Sequence, residues 1–329
     1  MSLGESAPLV SIPGAVFPPQ AEAFWYEGEG GLRLRAALIP APQARGSVVI
    51  NPGRTEPIEK YVEVVGELHA RGYSVLVHDW RGQGLSPRLL DDPLRGHAQG
   101  FEAFIKDLRR LLALTRGRLP GPRLVIGHSM GGCLTMLALA KGLGDFQAAL
   151  LSAPMLGLKL DGRPAWQGRL IAAAMRALGR GGGYVMGIRT DPLGFEFERY
   201  GLTHDRLRFE RMMAQVRAEP GLALGHITWG WLASALAAMA WLERDPSVAR
   251  IAIPVTAVAA AEDSLVLNTA IPRVISRLPN GRYVEIEGAG HELMIEVDPV
   301  RARFWEEFER LEGEVGGIPP SPPSPPTSF

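Results

Sequence analysis

From residue 46 onward, short apolar segments alternate with longer helical ones, and this alternation constrains the fold more than any other feature. Residues 47–51, 73–78, 123–127 and 148–152 are mostly apolar and predicted to be strands, and the first three of these segments are rich in β-branched side chains. Residues 58–71, 101–115 and 130–141 are predicted helices between them. Because the strands are apolar throughout rather than on alternate residues, both faces of their sheet must be covered. The order predicts an α/β fold with a mostly parallel sheet and helices on both faces.

A second kind of sequence interrupts this pattern between residues 155 and 250. The segment has few strand signals and holds four of the seven tryptophans, after which strands are predicted at residues 253–258 and 282–286 and a last helix at 299–314. The simplest interpretation is a helical cap inserted between strands of one sheet. The predicted organisation is an N-terminal extension (1–23), the first part of the core (24–154), the cap (155–250), the second part of the core (251–315) and a tail (316–329).

Both ends of the chain are predicted to be peripheral. Residues 24–40 resemble a hairpin that turns at residues 27–31, which indicates an antiparallel edge of the sheet. The tail at 316–329 is rich in proline, cannot form a helix or a strand ladder, and is expected to be disordered or extended.

The strongest local signal is the sequence Gly-His-Ser-Met-Gly-Gly at residues 127–132, between a predicted strand and a predicted helix. A serine in a G-x-S-x-G pattern lies on a tight turn, where side chains at the glycine positions would collide with neighbouring backbone. The turn exposes the Ser129 hydroxyl and places the N–H of Met130 at a helix N-terminus, where a developing oxyanion is stabilised. The pattern therefore predicts Ser129 as a nucleophile and Met130 as an oxyanion donor.

A serine hydroxyl is a poor nucleophile until a base accepts its proton. In this architecture the acid and the histidine follow the serine in chain order, each in a loop after a later strand. Asp263 and His291 occupy such loops, and we expect them to complete a triad with Ser129. Glu262 is the nearest alternative for the acid. Asp298 is a weaker alternative because it stands at a predicted helix start, where an N-cap explains it.

A second oxyanion donor is expected from residues 51–56, the loop after the first long strand. Gly53 lets the backbone approach a ligand, whereas Pro52 has no N–H to donate. The main-chain N–H of Arg54 is the expected donor. Two interpretations of the Arg54 side chain stay open: it faces solvent, or it contacts an anionic group of the substrate.

These motifs resemble the α/β-hydrolase superfamily, and within it the branch of monoacylglycerol lipases and bacterial lysophospholipases, the serine aminopeptidase-like hydrolases. Residues 78–86 resemble the family's D-x-R-G-x-G-x-S loop, in which Asp79 and Arg81 are interpreted as structural. Gly96-His97 followed by Phe101 resembles its G-H-x-x-x-F element, and the resemblance extends over residues 24–308. The roles that the resemblance implies are nucleophile for Ser129, acid for Asp263, base for His291 and amide donors for Arg54 and Met130.

One departure bears on the substrate. Monoacylglycerol lipases usually carry an H-G-x-G-E-H loop, where this chain has Asn-Pro-Gly-Arg-Thr-Glu at 51–56, and residues 202–205, 224–225 and 228–231 resemble the lysophospholipases. The resemblance implies an esterase that removes the acyl chain of a lysophospholipid through an acyl-enzyme, without a cofactor. A monoacylglycerol lipase or a broad esterase is the alternative within this class, and a non-catalytic binding module is the alternative outside it. The expected substrate-binding residues are His128, Trp229 and Trp231.

The composition argues against several other classes. The 35 Lys and Arg residues balance 35 Asp and Glu residues, so the chain lacks the positive excess of a nucleic-acid-binding protein. The single Cys133 excludes an internal disulfide framework and thiolate metal clusters, and no metal site is expected. No run reaches the ~18 apolar residues of a membrane span. The first residues lack the features of a signal peptide, and a cytoplasmic protein is expected.

Peripheral contact with a membrane surface is a further expectation. Within the predicted cap, basic and apolar residues alternate with a spacing that suggests an amphipathic helix. The residues concerned are Arg163, Arg169, Arg176 and Arg180 with Leu170, Ile171, Met175 and Leu178. The alternative is that these apolar side chains pack the cap onto the sheet.

Overall fold

A single eight-stranded sheet forms the centre of the computed structural model, which describes residues 3–160, 162 and 164–315. The strands are β1 (Glu22–Glu27), β2 (Arg33–Ile39), β3 (Gly46–Asn51), β4 (Tyr73–His78), β5 (Arg123–His128), β6 (Ala148–Ser152), β7 (Val255–Ala260) and β8 (Gly281–Ile286). Their spatial order is β1-β2-β4-β3-β5-β6-β7-β8. Antiparallel pairing is confined to β1 with β2 and β2 with β4, and the other neighbours are parallel. The predicted tail at 316–329 and Arg163 lie outside the described residues.

Helices cover both faces of the sheet. They are α1 (Val62–Ala70), α2 (Glu102–Thr115), α3 (Met130–Ala140), α4 (Ala165–Ala177), α5 (Phe197–Tyr200), α6 (Arg206–Ala218), α7 (Trp229–Arg244), α8 (Ala270–Ile275) and α9 (Asp298–Glu314). The adjacent residues Val48 and Val49 of β3 belong to different hydrophobic clusters, one on each face. One cluster includes α2, α3 and α7, and the other includes α1 and α9. The predicted α/β class, with covered faces, is confirmed.

The strand register places three carboxyl ends side by side. Asn51 at the end of β3 pairs with Gly127 of β5, and His128 of β5 pairs with Ser152 of β6. The loops that leave these strands therefore begin at the same edge of the sheet, which is where ligands bind in open α/β sheets.

Most predicted elements agree with the structure to within a residue or two, and two differ for a reason that involves proline. The helix predicted at 58–71 begins as a 3-10 turn, Ile58–Tyr61, that follows Pro57 and precedes α1. Strand β7 begins at Val255 rather than at the predicted residue 253, because Pro254 has no N–H to donate to a ladder. The hairpin predicted at 24–40 is formed by β1 and β2.

The segment between β6 and β7, residues 155–250, is called the insertion below. Its described residues contain α4 to α7 and no strand of the sheet. Helix α7 packs against α3 and α4 and buries ten residues, whereas α4 buries only Ala172. Arg208 of α6 forms ion pairs with Glu63 of α1 and Asp298 of α9, both at 2.7 Å. The insertion is therefore attached to the core through α6 and α7. None of the described helices has the combination of length and hydrophobicity that a membrane crossing needs.

Candidate active site

Ser129 lies on the sharp turn between β5 and α3. Its backbone angles are φ 50° and ψ −116°, a conformation that L side chains rarely adopt and that is maintained only where the surroundings enforce it. A side chain at Gly127 would come within 2.6 Å of the Thr135 hydroxyl, and one at Gly131 would overlap the Asn51 carbonyl. The glycines are needed for the reason that the pattern indicated. Ser129 is half-buried, and no described residue forms a hydrogen bond with its hydroxyl.

His291 and Asp263 meet at the same edge of the sheet, although 28 residues separate them in the chain. Nδ1 of His291 lies 2.6 Å from Oδ2 of Asp263, and both side chains are buried. Oδ1 of Asp263 accepts the N–H groups of Leu265 and Val266, each at 2.8 Å. Burial favours the neutral acid, but these hydrogen bonds and that from His291 outweigh it and lower the pKa of Asp263. An ionised Asp263 holds the Nδ1 proton on His291 and leaves Nε2 free to accept one.

The alternative acids lie elsewhere. The Glu262 carboxylate is largely exposed and lies 3.5 Å from Nε2 of His204. Asp298 begins α9 and pairs with Arg208. Of the three carboxylates considered, Asp263 is the one that is hydrogen-bonded to His291.

The ring of His291 also contacts His128, the residue before the serine, with 4.9 Å between the ring centroids. Burial lowers the pKa of His128 to about 4, and its Nδ1 lies 3.1 Å from the Ser152 carbonyl oxygen. His128 is therefore neutral near pH 7 and holds the turn in place.

The loop after β3 contacts the beginning of α3 through Gly131. Within this loop the N–H of Gly53 donates to Glu56, and the N–H of Thr55 donates to Oε1 of Gln83 at 2.8 Å. The Arg54 N–H, between them, donates to no described residue. The N–H of Met130 is the first of α3, where intrahelical acceptors are lacking. Arg54 and Met130, whose amides were predicted as oxyanion donors, line the same small cavity.

A buried ionic cluster that the sequence analysis did not anticipate lies against these loops. We define it as Glu56, Lys60 and Glu292, with the Lys60 ammonium 2.6 Å from Glu56 and also bonded to Glu292. Burial disfavours the charged form of Lys60, but the two carboxylates raise its pKa, so it stays protonated. Burial opposes the ionisation of Glu56, yet His128, which is protonated in the acidic range where Glu56 titrates, and Lys60 lower the pKa of Glu56 to about 2. The cluster links the oxyanion loop to the residue after His291.

The cluster also reaches the insertion. The hydroxyl of Tyr200, at the end of α5, donates to Oε1 of Glu292 at 2.7 Å. The Oε2 atom of Glu292 is buried and has no partner among the described residues. The position of Glu292, directly after His291, was the one signal in the sequence that could have drawn attention to it.

A small cavity is lined in part by Met130, the residue that follows Ser129. Its lining includes Arg54, Gly96, His97, Met130, Leu224 and Trp231. Nε1 of Trp231 lies 3.4 Å from the Met130 sulfur. Trp229 is buried on the same helix but is not among the lining residues. Its main-chain N–H donates to the Gly183 carbonyl. His128 lines a separate small cavity beside Glu56 and Lys60.

The D-x-R-G-x-G-x-S loop is held by ion pairs, and its residues 81–83 line the same small cavity as Arg54 and Met130. Asp79 pairs with Arg35 at 2.6 Å, Arg35 pairs with Glu59 at 2.7 Å, and all three side chains are fully buried. Arg81 pairs with Asp107 at 2.6 Å. These contacts support the structural interpretation of Asp79 and Arg81.

Cys133, the only cysteine of the chain, lies on α3 behind the turn. Its side chain is fully buried among apolar neighbours. Burial raises the pKa of its thiol to about 12.

Comparison with known proteins identifies the family. The family model described as serine aminopeptidase, S33 matches residues 42–298. Lysophospholipase L2 of Escherichia coli strain K12 is 33% identical over 289 residues, which cover 84% of this chain and 83% of the relative. A monoacylglycerol lipase of Mycolicibacterium smegmatis is 33% identical over 131 residues, 39% of this chain and 45% of the relative.

Among solved structures, the fold is similar to a monoglyceride lipase of Saccharomyces cerevisiae with a TM-score of 0.71 and 17% identity. That match covers 94% of this chain and 99% of the other. The resemblance inferred from the motifs is confirmed: this chain belongs to the serine aminopeptidase S33 family of α/β hydrolases.

Proposed function

We propose that this protein is a serine hydrolase that removes the acyl chain of lysophospholipids, with Ser129 as nucleophile, His291 as base and Asp263 as acid. The observation that carries the proposal is the buried His291–Asp263 hydrogen bond at the edge of the sheet where Ser129 occupies its positive-φ turn. No cofactor is required for this chemistry, because the nucleophile, the base and the oxyanion donors are all protein groups.

The reaction follows from these positions. The Ser129 oxygen attacks the carbonyl carbon of the ester while Nε2 of His291 accepts the hydroxyl proton, and Asp263 stabilises the resulting imidazolium. The N–H groups of Arg54 and Met130 hold the oxyanion. The tetrahedral intermediate breaks the ester C–O bond, and His291 returns the proton to the departing alcohol. A water molecule, deprotonated by His291, then attacks the acyl-enzyme and releases the fatty acid and a free Ser129.

Two observations favour lysophospholipid over monoacylglycerol. The relative named lysophospholipase L2 matches 84% of this chain, whereas the monoacylglycerol lipase matches 39%. The oxyanion loop also carries Arg54 and a buried Glu56 in a sequence unlike the usual monoacylglycerol lipase loop. Monoacylglycerol hydrolysis is the second candidate, because the chemistry of the ester is the same.

The test has two parts. A fluorophosphonate probe should label the protein once, at Ser129, as mapped by peptide mass spectrometry; labelling elsewhere or nowhere would refute the mechanism. The purified protein should then be assayed on lysophosphatidylethanolamine, lysophosphatidylcholine and 1-monoacylglycerol with one common acyl chain. A higher kcat/KM for monoacylglycerol than for both lysophospholipids would replace the proposed substrate by the second candidate.

Contact between the insertion and a membrane surface is also part of the proposal. On α4 and just after it, Trp166, Leu170 and Leu178 are 54%, 63% and 70% exposed, so they do not pack the insertion onto the sheet. Arg176 and Arg180 are exposed close to them. Apolar side chains accompanied by cations suit the interface of an anionic bilayer, which is where a lysophospholipid resides. Such contact would deliver the substrate to the insertion.

A further inference from the structure

The Arg54 side chain is a cation without a counter-charge. Its one hydrogen bond to a described residue runs from Nη2 to the Gly225 carbonyl of the insertion. Its Nε is buried and has no partner. No described carboxylate compensates the charge, so burial lowers the pKa of Arg54 to about 10, which still leaves the guanidinium charged near pH 7. A charged group in such surroundings is costly unless something binds it.

The Arg54 guanidinium lines the small cavity described above, together with Met130 and Trp231. Its central carbon is 5.6 Å from the centre of the Trp231 ring, and Trp231 contacts the Met130 sulfur. A side chain at Gly96 would come within 2.6 Å of Nη2, so the guanidinium packs directly against the backbone there. Because Met130 follows Ser129, this cavity is adjacent to the proposed nucleophile.

The surroundings of the cavity are also positive. His97 lines it, and burial together with Arg176 and Arg95 lowers the pKa of His97. Burial and Arg54 lower the pKa of His226 in the same way. Arg95 is paired with Asp92 at 3.2 Å, whereas Arg176 is exposed. Arg81 also lines the cavity and is paired with Asp107 at 2.6 Å, so Arg54 is the arginine of the lining that has no carboxylate partner among the described residues.

Arg88 provides an internal comparison. It also joins the core to the insertion, with Nη2 donating to the carbonyls of Gly221 and Ala223 at 2.6 and 3.0 Å. Its Nε donates to Pro93, and its Nη1 to Gly84 and Ser86. Every nitrogen of Arg88 thus has an acceptor, as expected of a purely structural link. By contrast, Nε of Arg54 is buried and has no acceptor among the described residues, which a purely structural role does not explain.

We propose that the cavity is a phosphate subsite in which the Arg54 guanidinium binds the headgroup phosphate of the lysophospholipid. This inference rests on the proposed function and names the group that selects its substrate. A phosphate oxygen would supply both the missing counter-charge and an acceptor for Nε, and arginine suits phosphate through its planar set of donors. The main-chain N–H of the same residue would hold the oxyanion. One residue would then contact the substrate on both sides of its glycerol backbone.

The first experiment compares kcat/KM for lysophosphatidylethanolamine and for 1-monoacylglycerol of the same acyl chain. The ratio of the two should fall roughly 10- to 100-fold in Arg54→Met, the effect typical of losing one charge-assisted contact to phosphate. Any effect on the shared ester chemistry cancels in this ratio. Arg54→Lys should give an intermediate ratio, because it keeps the charge and loses the planar donors. Arg88→Met is the matched control and should leave the ratio within about twofold of wild type, whatever it does to stability.

An unchanged ratio in folded Arg54→Met would overturn the subsite while leaving the hydrolase proposal intact. If wild type hydrolyses neither ester, the proposed function fails, and a second measurement still tests the subsite. Glycerol 3-phosphate should raise the melting temperature of wild type and of Arg88→Met, but not of Arg54→Met. Equal protection of all three proteins would contradict the subsite. Protection by inorganic phosphate as strong as that by glycerol 3-phosphate would show a site for free phosphate and not for a headgroup.

Discussion

The loops at the carboxyl edge of the sheet and helix α4 of the insertion are stabilised by opposite means. The loops are fixed by directional bonds between buried charges, as in the cluster of Glu56, Lys60 and Glu292. Helix α4 buries one residue and leaves large apolar side chains in solvent. Chemistry at an ester carbonyl requires groups positioned within a fraction of an ångström, which such bonds supply. A lipid surface requires only exposed apolar area, so the proposed membrane contact of α4 would need no comparable fixation.

The largest effect is expected at the nucleophile. Ser129→Ala should lower kcat by up to ~10⁶-fold, because no other group near the turn replaces the hydroxyl. The variant should keep the melting temperature of wild type, because no described residue bonds to that hydroxyl. Ser264→Ala, which removes an exposed hydroxyl beside Asp263, should stay within about twofold of wild type. Activity of Ser129→Ala within about tenfold of wild type would show that the turn is not the reactive centre.

The next effect is expected at the acid. Asp263→Asn should lower kcat by about 10⁴-fold, because the amide favours the wrong tautomer of His291. Glu262→Gln is the natural control, since its carboxylate is exposed and faces His204. Steady-state kinetics on a soluble short-chain ester would measure both. A reversal of the two effects would move the acid to Glu262.

The third effect is a difference in stability between losing the cation of the buried cluster and losing the cation of a surface ion pair. Lys60→Met leaves two buried carboxylates without their cation and should cost about 3–5 kcal/mol of unfolding free energy at pH 7. Lys106→Met removes an ion pair with Glu29 that is largely exposed, and should cost at most about 1 kcal/mol. Urea unfolding monitored by fluorescence would compare them. Equal costs would mean that the cluster does not stabilise the loops.

The loss of unfolding free energy in Lys60→Met depends on pH with a defined sign. A carboxyl whose pKa is lowered in the folded state, such as Glu56, stabilises the protein above its unfolded pKa and loses that contribution as the pH falls. Without Lys60 the part of this contribution that comes from the ammonium is absent. The stability difference between wild type and Lys60→Met should therefore be largest near neutrality and shrink as the pH falls through the ordinary carboxyl range toward about 2, the folded-state pKa of Glu56. A difference that grows on acidification would contradict the assignment.

The smallest effect concerns α4. The double variant Leu170→Ser and Leu178→Ser should weaken binding to anionic vesicles by roughly tenfold or more, because it removes two side chains that would enter the interface. Its unfolding free energy should change by at most about 0.5 kcal/mol, since both side chains are already exposed. Val16→Ser, 67% exposed but outside the insertion, is the control and should bind vesicles as wild type does. Unchanged sedimentation of the double variant would refute the membrane contact.

The sequence was most informative where local chemistry decides the structure. The strands at 73–78 and 148–152 have the predicted limits, because runs of apolar residues suit a sheet covered on both faces. The turn at Ser129 was predicted from glycines that leave no room for side chains. The cluster of Glu56, Lys60 and Glu292 could not be predicted, because residues 60 and 292 are 232 positions apart in the chain and only the fold brings them into contact. The exposure of α4 was equally undetermined, since an amphipathic pattern serves either a core or a lipid surface.

The burial of Cys133 has a practical consequence for attaching probes to the insertion. A thiol held protonated inside α3 is a poor target for maleimides and other thiol-directed reagents, which react with the thiolate. The natural chain therefore provides a nearly silent background for site-directed labelling. One cysteine introduced on α4 by Leu170→Cys, or just after it by Leu178→Cys, would carry a spectroscopic probe alone, without replacement of the native Cys133. Such a probe would report on the surroundings of α4 in the presence and absence of vesicles.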